Sequence, residues 1–383
     1  MGKLYWVCFS DSAQEKPSGL RRVETGTIGQ PGEVLLEESD PRVQFILNPP
    51  ESQGVQEFTV DSLDDLIRAM DWFEGMPSKW AFRGQSNWDW KLESVLERQA
   101  PEFVRKQTGL ERHEAQIWIE ARKRLHNFLT ERPHEEDRFS WLALLRHHGV
   151  PTRLLDVSWS PYVALYFAVK DQGSCNDAAL WMFNVGKFNW KTQLAIESHW
   201  RKPEKLLRMD NPWSNTLQDD YSWPMPGQKV SALNEDIAKH LFSDNGVCDW
   251  FTLINLVLSG AISFDAIHIC EPSWVSRRLD AQQGAFIIPF NVRNSVHENM
   301  CACFDSDDKE GRNYTLVSVS SGDENTLKRL WMHAYVIKLI IPNKLHGMLR
   351  HRLKMMNIRD IVLFPDMDGA LAHISSVVPQ SGR

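Results

Sequence analysis

Three short stretches carry residues whose types and spacing could serve nucleotide chemistry. Positions 82–85 read Phe-Arg-Gly-Gln. The Arg83 guanidinium is a planar fork of donors suited to a phosphate or carboxamide, and the missing side chain at Gly84 lets backbone approach a ligand. A surface arginine ahead of a turn glycine would leave the same trace. Further along, Arg153, Asp156, Ser158 and Ser160 punctuate the apolar run Leu154, Leu155 and Val157. Ionisable groups in so apolar a setting need partners. They either present hydroxyls and backbone N–H groups to an anion at a strand-to-helix turn, or form a stabilising Arg–Asp pair with helix caps. The third stretch is Gln282-Gln283-Gly284 at the start of an apolar run. Paired amides there can orient a substrate or satisfy nearby backbone.

The elements that must position these residues follow from apolar periodicity. Trp80-Ala81-Phe82 reads as a strand running into Arg83-Gly84-Gln85, with Phe82 inward and Arg83 outward. Residues 139–169 change period twice. A helix capped by Ser140 ends at Gly149-Val150-Pro151, a buried strand carries Leu154, Leu155 and Val157, and Ser160-Pro161 opens a second helix that is apolar on every side. Further helices are expected over 62–73, 111–130, 249–258, 272–281 and 345–356, and after 369. Strands are expected over 4–9, 264–270, 285–288, 335–341 and 361–364. Residues 1–58 form an irregular N-terminal extension with a short apolar run at 43–47. Residues 171–262, poor in strand signals and rich in Trp and Pro, read as an insertion between two parts of one domain, 59–170 and 263–383.

Composition narrows the function classes. The 383 residues suffice for a large core, and no run of eighteen apolar residues suggests a membrane span. The N-terminal apolar stretch is too short for a secretory signal, and Trp6 stands where myristoylation expects Ser or Thr, so a cytoplasmic protein with no membrane partner is expected. Six cysteines without a CxxC pair fit reduced thiols, and no metal is expected. Cys301-Ala-Cys303 is too closely spaced for an ordinary zinc finger, and Asp366 and Asp368 serve as cap and turn residues. A net charge of −7 argues against a broad grip on duplex DNA. Sixteen tryptophans, several in polar surroundings (Trp88, Trp90, Trp159, Trp200, Trp213, Trp223), offer indoles that could stack on bases or serve as core and loop anchors. Neither a GxSxG elbow nor a Walker loop is present.

Taken in order, Phe82-Arg83-Gly84-Gln85, the stretch 147–168, the Asp280–Phe286 turn and residues 358–374 resemble the FRG domain family, across about 60–170 and 263–378. That resemblance implies an α+β, ADP-ribosyltransferase-like split mixed sheet with flanking helices and an inserted helical and loop segment. It further implies a toxin of a bacterial antiphage or toxin–antitoxin system, transferring ADP-ribose from NAD, its cofactor-like substrate, to RNA or protein. An antitoxin and a chaperone would be its partners. Arg83 and Gly84 would hold the dinucleotide, with Gln85, Arg153, Ser158 and Tyr166 around it, and Gln282 or Gln283 would meet the ribose hydroxyl and incoming nucleophile. The sequence departs from the transferase pattern where Gln stands in place of the usual catalytic Glu, so Asp156, Glu271 or Asp280 becomes a candidate carboxylate. The alternatives are NAD hydrolysis and a nucleotide-binding sensor without turnover.

Overall fold

The computed structural model describes residues 4–8, 20–22, 33–37, 55–74, 79–104, 109–125, 127–129, 132–171, 173, 175–200, 250–304, 334–367, 369–371 and 374. The apolar run at 43–47, Trp213, Trp223, Asp368, the acidic loop 305–310 and the turn at 320–325 lie outside the described residues. The strands are β1 (Leu4–Cys8), β2 (Leu20–Arg22), β3 (Glu33–Glu37), β4 (Val55–Thr59), β5 (Trp80–Gln85), β6 (Leu155–Ser158), β7 (Ala178–Asn184), β8 (Ile267–Cys270), β9 (Gly284–Pro289) and β10 (Val336–Ile341). The helices are α1 (Leu63–Glu74), α2 (Val95–Gln99), α3 (Leu110–Leu125), α4 (Arg138–His147), α5 (Pro161–Val169), α6 (Val185–Trp200), α7 (Trp250–Leu258), α8 (Arg277–Ala281), α9 (Val296–Ala302), α10 (Asn343–Met355) and α11 (Asp360–Leu363). The class is α+β. The chain divides into two units.

One unit comprises Met1–Trp90, Ala164–Asn184 and Phe304–Asn357. Its small antiparallel sheet has the order β2-β1-β3. Its main strands run β4-β10-β7-β5, with β10 parallel to β4 and antiparallel to β7, and β5 antiparallel to β7. Strand β7 is buried at all seven positions. A strand covered on both faces needs no polar alternation, and the Ala, Leu and Met of Ala178–Asn184 give no local β signal. The span 171–262, expected to be an insertion, thus contains a strand that lies between two others of this unit. Lys338 on β10 is buried, and its charge is accommodated by Glu57 Oε1 at 2.7 Å and by the rings of Trp88 and Trp181, 5.2 and 5.0 Å from Nζ.

The other unit comprises Lys91–Val163, Val185–Cys303 and Ile358–Arg383. Its strands β6, β9 and β8 form an antiparallel set, with Ser158 opposite Gly284 and Cys270 opposite Phe286. Helix α6 docks on β8 through side chains that complete the outer ladder. The Asn189 amide brackets both backbone groups of Ile269, and the Thr192 hydroxyl donates to the Ile267 carbonyl at 2.7 Å.

Three local expectations are corrected here. Helix α4 starts earlier than predicted, with Asp137 as its cap: the carboxylate accepts from the Ser140 N–H and hydroxyl, and Ser140 is buried inside the first turn. Residues 360–363 form one helical turn, α11, and not a strand; Ile361 and Val362 are β-branched, but among the described residues this segment joins no β-ladder. Arg153 and Asp156 do not pair with each other. Buried Arg153 takes Glu114 of α3 through Nε and Nη2, while Asp156 takes Arg146 of α4 at 2.7 Å.

Candidate functional site

Strands β6 and β8 run antiparallel to β9, so the ends of the first two and the start of the third come to one edge of this unit. The edge gathers Ser158, Trp159, Glu271, Gln282 and Gln283. Its backbone is held by a short relay of hydrogen bonds. The Ser158 hydroxyl donates to the Gln282 carbonyl at 2.7 Å and accepts the Ser160 N–H at 3.0 Å, and the Trp159 N–H donates to the Gln283 carbonyl at 2.8 Å. Gly284 packs against α8, where a Cβ would make the end of the Leu279 side chain turn aside. Gln283, immediately before it, has a φ of 46°, an uncommon region for a residue with a side chain.

Side chains at this edge differ in what they can offer. Gln283 is exposed. Gln282 is half-buried, and its Nε2 donates to the Leu363 carbonyl at 3.0 Å, which ties it to the end of α11. The Trp159 indole N–H donates to Glu271 Oε1. Glu271 follows β8 and is exposed, and together with burial its charge pushes the neighbouring Cys270 thiol up. A carboxylate therefore stands beside an indole, at an edge that also carries the exposed Gln283. Such a set can bond a ribose hydroxyl, cover a flat ring and stabilise a developing cation. Asp156 is committed to Arg146, and Asp280 lies on α8.

The remaining expected site residues divide between the units. Arg153 and Ser158 belong to the unit that carries the edge, and both are occupied by the fold: Arg153 is 2% exposed in its pair with Glu114, and the Ser158 proton is spent on the Gln282 carbonyl. This departs from the ligand contacts expected of them, because a buried guanidinium must take its counter-charge from inside the protein. Arg83, Gly84, Gln85 and Tyr166 belong to the other unit. Gln85 is buried and accepts the Trp181 indole N–H at 2.7 Å. Gly84 lies against α5, where a Cβ would overlap the Ala164 carbonyl oxygen and come within 2.6 Å of the Ala168 nitrogen. Its missing side chain is filled by helix backbone. Tyr166 is buried on α5, edge-on to Phe167 at 5.3 Å. Arg83 is half-buried, opposite Trp181 in the β5–β7 register.

Sequence reasoning named Glu271 only as one of three carboxylates and missed its pairing with Trp159, because residues 112 positions apart leave no local signal. It also passed over a second group in this unit, formed by His147, Ser276 and Asp366, of which only Asp366 was named, as a cap or turn residue. Among the described residues, no cluster of three or more His, Cys, Asp or Glu side chains is arranged to hold a metal, and no helix is long and apolar enough to cross a membrane.

Residues 78–177 match the family of the FRG domain. The match runs from just before β5 to just before β7, taking in Arg83, Gly84, Gln85, Arg153, Ser158 and Tyr166 but not the glutamine pair. No curated protein and no solved structure matches the chain.

Proposed function

We propose that this protein is an NAD-dependent ADP-ribosyltransferase that acts in the cytoplasm as a toxin of an antiphage or toxin–antitoxin system, modifying RNA in preference to protein and held in check by an antitoxin and a chaperone. The observation that carries this reading is the meeting of Glu271, Trp159 and Gln283 at one strand edge. Breaking the bond between nicotinamide and ribose builds positive charge on the ribose, and a fixed carboxylate stabilises that charge where an amide does not. Glu271 supplies the charge that Gln282 and Gln283 lack. Gln283 bonds the ribose hydroxyl and the Trp159 indole covers the nicotinamide face. Arg83 belongs to the other unit, and the planar fork for dinucleotide phosphates that its motif implies is tested separately. The FRG match over 78–177 supports the family side of this reading.

The test is to incubate purified protein with radiolabelled NAD and cell lysate, then treat the products separately with RNase, DNase and protease. Transferred label that is lost with RNase is expected. Glu271→Gln should lower transfer by about 100-fold while NAD binding persists, and Arg83→Ala should abolish binding with the fold intact. Full transfer by folded Glu271→Gln would remove the carboxylate from the mechanism.

A second reading, a nucleotide-binding sensor without turnover, is favoured by one observation: the Gln282 amide is engaged with the Leu363 carbonyl. Binding of NAD with neither label transfer nor nicotinamide release would select it. Nicotinamide release without label on any target would instead select NAD hydrolysis.

A further inference from the structure

A hydroxyl, an imidazole and a carboxylate from three separate segments meet in the unit that carries the strand edge, two of them, His147 and Asp366, from stretches 147–168 and 358–374. His147 closes α4, Ser276 caps α8, and Asp366 follows α11. Ser276 Oγ lies 3.1 Å from His147 Nδ1, and His147 Nε2 lies 3.9 Å from Asp366 Oδ2.

Ser276 Oγ accepts the Leu279 N–H at 3.2 Å and still has its own proton to donate to Nδ1. It does so in the tautomer whose imidazole proton sits on Nε2, on the side of Asp366. The other carboxylate oxygen, Oδ1, accepts the Gly369 N–H at 2.8 Å, which fixes the orientation of Asp366. Burial, reinforced by Arg278 and His148 and opposed by Asp366, lowers the His147 pKa to about 4. At neutral pH the ring is an uncharged base facing a serine proton. All three side chains are partly accessible, Asp366 at 33% and His147 at 16%.

We propose that Ser276, His147 and Asp366 form a second reaction centre, a serine nucleophile site acting on small carboxylic esters. Ser276 Oγ bonds to the carbonyl carbon as its proton passes to His147 Nδ1, and Asp366 steadies the resulting imidazolium. The carbon–oxygen bond to the alcohol breaks, and the alcohol leaves with the proton from His147. Water then adds to the acyl-serine, giving a proton to His147 that returns to Ser276 Oγ as the acid departs. The Nε2 to Oδ2 separation of 3.9 Å is longer than a hydrogen bond, and in the free state Asp366 acts on the ring through its charge. Here Nδ1 faces the serine, the reverse of the usual serine triad.

The test treats the full-length protein with a biotinylated fluorophosphonate and maps the labelled peptide by mass spectrometry, with p-nitrophenyl acetate turnover as a second readout. Label on Ser276 is expected. Ser276→Asn keeps an acceptor for the Leu279 N–H, so it should fold, resist labelling and lose turnover. His147→Gln keeps the hydrogen bond but cannot take up a proton, and should slow labelling at least about 100-fold. Unlabelled Ser276 in folded wild-type protein, or equal labelling rates in wild type and His147→Gln, would overturn the proposal. Neither outcome depends on NAD.

Discussion

A glycine at position 84 was read as an opening for a ligand, and the structure gives that space to α5. The distinction has a measurable consequence. A methyl group at this position would overlap the Ala164 carbonyl and crowd the Ala168 nitrogen, both of them helix backbone that cannot rotate aside. Gly84→Ala should therefore cost stability, on the order of 1–3 kcal/mol for overpacking, and lower the thermal midpoint. A variant as stable as wild type would return the space to a ligand. The same contrast holds at Ser158 and Gln85. Their residue types suit ligand binding, but their hydrogen bonds go to the Gln282 carbonyl and the Trp181 indole.

Elements in this protein are joined by a few buried polar contacts that propensity alone does not reveal. Helix α3 has a largely charged sequence, of the kind that usually faces solvent. One of them, Glu114, is instead 1% exposed and holds Arg153 just ahead of β6, also accepting the Arg153 N–H at 3.1 Å. Glu114→Gln leaves the guanidinium buried without its counter-charge, and a loss of about 3–5 kcal/mol in urea unfolding is expected. Replacing Glu120 on the same helix, whose exposed carboxylate pairs with Arg124, should leave the urea midpoint almost unchanged. Equal effects from the two substitutions would contradict the buried-pair reading. The periodicity of α1, α5, α7 and α10 was legible because each has an apolar stripe or an all-apolar run. The short turn at α11 was not, since four residues hold too little pattern to separate a helical turn from a strand.

For the molecule as a whole, two half-hidden bases should dominate acid sensitivity. His268 on β8 is buried, stacked on Trp250 with ring centres 4.0 Å apart, and burial holds its pKa at about 3. His147 is held at about 4. Both values lie below the ordinary 6.5, so between 6.5 and these values the unfolded chain binds protons that the folded chain does not. Stability is complete above pH 6.5 and falls as the pH is lowered through that window, by up to about 1.4 kcal/mol per pH unit for each group. His268→Phe keeps a ring beside Trp250 and removes the proton site. Urea midpoints measured from pH 7 to pH 4.5 should decline less steeply in this variant, by about one proton. Parallel curves for variant and wild type would show that His268 does not drive the loss.

The resemblance to the FRG family implied the α+β class and drew 82–85, 147–168 and 280–286 together, while local sequence was enough to place most strands and helices. Those features depend on patterns within a dozen neighbouring residues, where periodicity, caps and turn residues act. Tertiary structure decided which polar residues are spent on the fold and which stand at an edge. Arg153 finds Glu114 across 39 positions, Trp159 finds Glu271 across 112, and Ser276 finds His147 across 129. A side chain's chemistry is set by its partner and its burial, and chain folding brings those partners together from segments whose local patterns carry no sign of one another.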